Sequence, residues 1–246
     1  MDLARSFQDA TKYYREKLPE ARCAAACVAP YKRYDEHLPR IALPRPESLP
    51  KASFWETVAH RRSVRRYIPA ELSGMSLCLL LWASQGITRP GNVPLRASPS
   101  AGALFPIETY VVVNRVAGVA PGLYHWQLPD ERLVLLRADC DLGEQVAIAC
   151  LDQDMCRSAA CSFLWTAVFE RTLRKYGDRG LRYVYLDAGH VGHALQLAAA
   201  ALGLGSCCIG ALFDDEVNRL LGIDGVHESI VYAASVGSAR EPSGGL

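Results

Sequence analysis

From Ala188 to Phe213 the chain carries no Asp, Glu, Lys or Arg. A charge-free run of that length would suit a membrane span, but this one holds His190, His193 and Gln196 and is interrupted by Gly203 and Gly205. It therefore divides into a buried helix and a buried strand. Val184, Ala188, Val191, Leu195, Ala198 and Leu202 recur at alternating spacings of four and three, predicting a helix over about 183–202. Its other faces are also largely apolar, which places it at the centre of the fold. Cys207–Leu212 then reads as the buried strand.

The remaining elements must pack around that helix. Ser53 caps a short helix through Phe54, Trp55 and Val58, and Ser76–Ser84 reads as a buried helix. Glu108–Asn114 is a β-branched strand, and Leu123–Trp126 with Leu133–Leu136 reads as a strand pair turned at Pro129-Asp130. Leu164, Trp165, Val168, Phe169, Thr172, Leu173 and Tyr176 lie on one helical stripe, predicting a helix from Phe163 to Tyr176 that stops at Gly177. A short helix follows at 214–220 and a last strand at 229–236. Asp2–Lys17 reads as a short helix or arm. Pro39, Pro44, Pro46 and Pro50 make the next segment extended. Few, unevenly spaced strands among helices indicate mixed α+β, not a doubly wound sheet. The expected division is an arm and Pro-rich segment at 1–52, one domain at 53–240 and a flexible tail at 241–246.

The charge balance narrows the partners. With 27 basic and 26 acidic side chains the net charge is +1, which excludes a broadly basic nucleic-acid binder. The nine cysteines are odd in number and show no Cys-x-x-Cys pair, so they read as reduced thiols of a cytoplasmic protein. The first ten residues lack a signal-peptide core. His190 and His193 find no further ligand at metal spacing, so no metal and no membrane association are expected.

Four segments carry candidate chemistry. Arg61-Arg62-Ser63-Val64-Arg65-Arg66 is the densest charge cluster. Such a run is commonly a solvated face, but guanidinium forks around a hydroxyl also suit a compact phosphate. Ser98-Pro99-Ser100-Ala101-Gly102-Ala103 is either a plain surface loop or a small-residue backbone that lets a flat ligand approach. Gly203–Ala211 is glycine-rich, but it closes a helix and opens a strand, the reverse of a dinucleotide fingerprint. Lys175-Tyr176 sits where a helix C-terminus favours Lys and where Tyr continues the apolar stripe.

In this order the segments resemble the nitroreductase-like flavoproteins, and more closely the SagB-type dehydrogenases, FMN-dependent azoline oxidases of thiazole/oxazole-modified peptide pathways. The motifs are Arg-Arg-Ser-Val-Arg at 61–65, Pro-Ser-Ala-Gly-Ala-Leu-Phe-Pro-Ile-Glu at 99–108, Gly-Leu-Tyr-His at 122–125, Lys-Tyr-Gly-Asp-Arg-Gly at 175–180 and Leu-Asp-Ala-Gly-His at 186–190. Ala-Leu-Gly-Leu-Gly at 201–205 and Ile-Gly-Ala at 209–211 continue them. The resemblance implies an α+β homodimer with a central mixed sheet flanked by helices and FMN at the subunit interface. By that likeness Arg61, Arg62, Ser63 and Arg65 hold the FMN phosphate and ribityl chain, with Arg240 as an added phosphate contact. Pro99, Ser100, Ala101 and Gly102 line the flavin, and Ile209, Gly210 and Ala211 bring backbone groups to its ring. Ala103 stands where many simple nitroreductases carry Asn, which favours the dehydrogenase branch. Lys175 and Tyr176 take the role of the azoline-oxidising pair, one as base and the other tuning it. Azoline-to-azole oxidation removes an acidic C–H proton and a hydride from neighbouring carbons, with flavin as acceptor and O2 reoxidising it. The implied substrate is a peptide or carrier-bound azoline, supplied by a cyclodehydratase or a peptide synthetase. An NAD(P)H-dependent nitroreductase or quinone reductase and a non-catalytic scaffold subunit are the alternative functions.

Overall fold

In the computed structural model, residues 2–15, 28–91 and 93–239 are described. A helix, α1 (Leu3–Ala10), opens the chain, capped by the Asp2 carboxylate on the Ala4 N–H. Strand β1 (Arg40–Ala42) comes from the Pro-rich segment. Helices α2 (Phe54–His60) and α3 (Gly74–Gln85) start at Ser53 and Ser73, whose hydroxyls accept from the N–H groups of Glu56 and Ser76. A small hairpin of β2 (Ile87–Arg89) and β3 (Leu95–Arg96) precedes β4 (Ile107–Val113), β5 (Gly122–Gln127) and β6 (Arg132–Ala138). Then come α4 (Leu142–Ala149), α5 (Asp154–Ser158), β7 (Cys161–Val168), α6 (Glu170–Tyr176), α7 (Gly180–Ala201), β8 (Gly205–Ile209), α8 (Asp214–Leu221) and β9 (Glu228–Gly237).

Seven strands form one sheet in the order β1-β6-β5-β4-β7-β9-β8. The chain is α+β, as expected, but the expected mixed sheet is antiparallel in every strand pairing. Parallel pairing is confined to isolated bridges such as Ser63 with Ser206. The reason lies in the connections. Tight turns and returning helices join neighbouring strands, and β7 inserts between β4 and β9.

Alternate residues of the central strands enter two separate cores. Val111, Val113, Phe163 and Trp165 face α3 and α7, packing with Leu77, Leu80, Val184 and Leu195. Tyr110, Val112 and Leu164 face the other way, toward Val146 of α4 and Val217 of α8. This double burial overturns the helix expected from Phe163: residues 161–168 are a strand and only 170–176 are helical. A strand buried on both faces is apolar at every position, so a helical stripe can be traced through it without being real.

The long helix falls where its periodicity puts it, burying Val184, Asp187, Ala188, Val191, Leu195 and Ala199. It is not enclosed all round, since Tyr185, Leu186, Gly189, His190 and His193 are exposed. No described helix is long and apolar enough to cross a membrane. The seven cysteines among the described residues are free thiols, and Cys23 and Cys27 lie outside those residues.

Candidate active site

The arginine run is laid against the sheet edge. Past α2 the backbone turns extended at Arg61, and the Val64 N–H donates to the Ser206 carbonyl at 2.9 Å. Val64 and Tyr67 face inward. The Tyr67 hydroxyl lies 2.8 Å from the Val64 carbonyl and 2.9 Å from Ser235 Oγ. Burial pushes that phenol above its ordinary range, so it stays a neutral hydroxyl. Glycine makes this approach possible: a Cβ at Gly205 would stand 2.8 Å from Val64 Cγ1, and one at Gly237 would stand 2.9 Å from Tyr67 Cγ. With those side chains inward, Arg62, Ser63, Arg65 and Arg66 are exposed and Arg61 is half-buried. Among the described residues none of these four arginines forms an ion pair. Their hydrogen bonds go to nearby carbonyls, those of Ala59, Arg61 and Ser63. Guanidinium groups concentrated without counter-carboxylates suit an anionic ligand. Ile209 ends β8 beside this run, and Gly210 and Ala211 continue from it exposed. Arg240 lies outside the described residues.

A second cluster forms around the loop after β3. Gly102, Ala103 and Phe105 have φ of 64°, 54° and 47°, a tight left-handed path. Asp187, only 5% exposed, holds this path in place. Its carboxylate accepts from the Ser100 hydroxyl at 2.5 Å and the Ala101 N–H at 3.2 Å, while Ser100 Oγ accepts from the Phe105 N–H at 2.9 Å. Burial raises the Asp187 carboxyl, and the Ser100 and Ala101 hydrogen bonds oppose that rise.

Lys175 and Tyr176, at the end of α6, meet this loop. A Cβ on Gly102 would come within 2.5 Å of Tyr176 Oη and 2.8 Å of Lys175 Nζ. Both polar heads therefore lie against the loop backbone at its one glycine. Tyr176 is half-buried and meets Tyr183 edge-on, with centroids 4.8 Å apart. Lys175 Nζ stands 5.2 Å from the Tyr176 ring.

Helix α7 joins the two clusters. Asp187 grips the loop, and Gly192, five residues on, packs beneath Cys208 of β8 and Tyr232 of β9. Five residues advance roughly 7–8 Å along a helix. The arrangement sets guanidinium groups without counter-carboxylates at one end, exposed backbone at Gly210 and Ala211, and an amine and a phenol against Gly102 at the other.

Sequence reasoning did not single out the support behind the loop. Arg171 of α6 is 3% exposed. It donates to Glu108 Oε1 at 2.6 Å, to the Ala29 carbonyl at 2.9 Å and to the Phe105 carbonyl at 3.3 Å. Glu108 Oε2 lies 2.9 Å from His125 Nε2. Burial alone would raise Glu108, but His125 and Arg171 outweigh it and hold its carboxyl at about 2. Asp187 and Glu108 both stand inside quoted motifs. The available signal was a lone charge within an apolar pattern, which demands a buried partner.

Residues 58–238 match the model of the Nitroreductase family. The chain is 38% identical to "Putative nitroreductase MJ1384" of Methanocaldococcus jannaschii over 168 residues, covering 68% of this chain and 83% of the relative. It is 33% identical to the trifolitoxin-processing protein TfxB of Rhizobium leguminosarum bv. trifolii, over 68% of this chain and 47% of that protein. The chain thus matches about half the length of TfxB. Among solved structures, a nitroreductase-like protein of Anabaena variabilis superposes with a TM-score of 0.74 at 28% identity, covering 96% of this chain and 47% of that one. A chain of the E. coli microcin synthetase McbBCD complex, with truncated pro-MccB17 bound, superposes with a TM-score of 0.63 at 17% identity. That match covers 98% of this chain and 83% of the other, and it is a likeness of fold.

Proposed function

Because the chain belongs to the nitroreductase family, we propose that it is an FMN-dependent oxidoreductase that converts thiazoline or oxazoline rings of a peptide to thiazole or oxazole. The observation that carries this reading is the contact of Lys175 and Tyr176 with Gly102 of the Asp187-held loop. The similarity to TfxB, by name a trifolitoxin-processing protein, favours a role in processing a natural product.

The residues present fit FMN. Arg61, Arg62, Ser63 and Arg65 offer uncompensated donors to a phosphate. Pro99–Gly102 and Gly210–Ala211 offer backbone without bulky side chains, and a Cβ at Gly210 would meet nothing within 4 Å. Bound FMN would take up the two electrons of ring oxidation and pass them to O2. The protein's part is positional and acid–base. Asp187 fixes the Ser100–Ala101 backbone. Tyr176 as phenolate or Lys175 as free amine accepts the proton from the acidic ring carbon, and the other tunes it. Tyr176 is half-buried and Lys175 is exposed.

In this reading the chain pairs with a second copy. Trp55 of α2 is 78% exposed and Leu186 of α7 is 59% exposed, with Phe54, Val58 and Tyr185 beside them in sequence. Such apolar surface suits a homodimer that covers α2 and α7.

Purified protein loaded with FMN should convert a thiazoline peptide to its thiazole with loss of two hydrogens by mass. Lys175→Ala and Tyr176→Phe should each lower that turnover at least tenfold, and unchanged turnover in both would refute the assigned pair. The 38% identity to the M. jannaschii relative supports a second reading, reduction of nitroaromatics or quinones by NAD(P)H. Rapid nitroaromatic-dependent NADPH oxidation without azoline turnover would select it.

A further inference from the structure

Helix α1 lies outside the family match at 58–238, yet it is tied to the element that carries the candidate pair. Arg182 of α7 donates to Thr11 Oγ1 and to the Gln8 carbonyl, both at 2.6 Å. Arg179 donates to the Thr11 carbonyl at 2.9 Å. The Arg179 guanidinium stands over two rings, 5.1 Å from the centroid of Tyr13 and 5.4 Å from that of Tyr183. Tyr183 then meets Tyr176 edge-on at 4.8 Å, and Tyr176 Oη rests against Gly102. A continuous row thus runs from the end of α1 through Arg179 and Tyr183 to Tyr176.

The docking is almost wholly polar. Helix α1 buries none of its own residues, and an isolated eight-residue helix is marginal in water. Three charge-assisted bonds to carbonyl and hydroxyl oxygens and the cation–ring contacts hold it. At the other end, Tyr176 is the last residue of α6, where the helix gives way to Gly177 at φ 56°. Beyond the helix end, the edge of Tyr183 packs against its ring.

We propose that α1, Arg179 and Tyr183 form a clamp that fixes the Tyr176 ring over Gly102, making Arg179 and Tyr183 positioning residues for the Lys175–Tyr176 pair. This rests on the reading of that pair as the proton-transfer group.

The test uses the full-length, FMN-loaded chain and a thiazoline peptide, with flavin content, kcat and KM measured separately. Tyr183→Leu and Arg179→Gln should lower kcat about tenfold, with KM and flavin content within twofold of the parent. Arg179→Lys, which keeps a cation beside both rings, should recover part of the loss. In a Tyr176→Ala background, Tyr183→Leu should change the single-turnover rate less than twofold, because its effect passes through the absent ring. Equal losses in both backgrounds, or no loss in either, would overturn the clamp. Amide hydrogen exchange supplies a readout free of catalysis. In flavin-free protein, Arg179→Gln with Arg182→Gln should speed exchange over residues 3–11 at least tenfold, and unchanged exchange would also overturn it. Faster exchange combined with silent Lys175 and Tyr176 variants would instead place the failure in the assigned pair.

Discussion

Replacing Glu108 by Gln should destabilise the protein by about 3 kcal/mol at pH 7 and flatten its acid unfolding. Glu108 is 8% exposed, and both carboxylate oxygens are engaged, Oε1 by Arg171 and the Lys32 N–H and Oε2 by His125. Its carboxyl is held at about 2 against an ordinary 4.5, because His125 and Arg171 outweigh the opposing effect of burial. At about 1.36 kcal/mol per tenfold, that difference contributes about 3 kcal/mol at neutral pH. The folded-state value is depressed, so this stability is fully present above the unfolded-state value near 4.5. It is lost as pH falls from about 4.5 toward about 2. Removing one member of a buried ion pair costs about 3–5 kcal/mol by the independent route of an uncompensated charge, here Arg171. Urea unfolding of parent and variant at pH 7, 5, 4 and 3 measures both effects. A variant within 1 kcal/mol of the parent at pH 7, with parallel curves down to pH 3, would refute the reasoning.

Two glycines give sharper local tests. Gly102→Ala combines a φ of 64° with a Cβ 2.5 Å from Tyr176 Oη. It should cost roughly 1 kcal/mol by urea unfolding and lower azoline turnover at least tenfold as the pair is displaced, and a variant with parental turnover would sever loop from pair. Gly192→Ala puts a Cβ 2.6 Å from Tyr232 Cε1 in the packed α7–β9 contact. It should cost about 1–3 kcal/mol through overpacking, and an unchanged unfolding midpoint would mean that Tyr232 moves aside freely.

The elements legible from sequence were those with a local mark: a cap, a helical period or a β-branched run, as in β4, which is itself buried at every position. Ser53 and the alternating spacings of α7 are examples, because period and capping are local properties. The strand at 161–168 was illegible for a physical reason. It lies between β4 and β9 with Phe163 and Trp165 in one core and Leu164 in the other, so no polar alternation marks its pleat. Helix α4 lay in a stretch that sequence reasoning left unassigned. The exposed side of α7 was illegible as well: Tyr185 and Leu186 are apolar or aromatic whether they face a core or a surface awaiting a partner.

The site divides along the same line. Each candidate segment could be picked out by the composition of a few adjacent residues, but their support could not, because it is made across the chain. Asp187 meets Ser100 at a separation of 87 positions, and Lys32 meets Glu228 at 196. Sequence could show only that such charges need partners. Asp187 falls on the Val184–Ala188–Val191 stripe, and Glu108 opens a run of β-branched residues; neither position tolerates an unpaired carboxylate. A buried acid in an apolar stripe therefore predicts that a partner exists and that the pairing is structural, but not which segment supplies it. In this fold the partners are the loop after β3 and α6, the two segments that meet at Gly102. The buried charges lie beside the candidate pair because a left-handed loop and the end of a short helix hold little position of their own. Asp187 and Arg171 supply it.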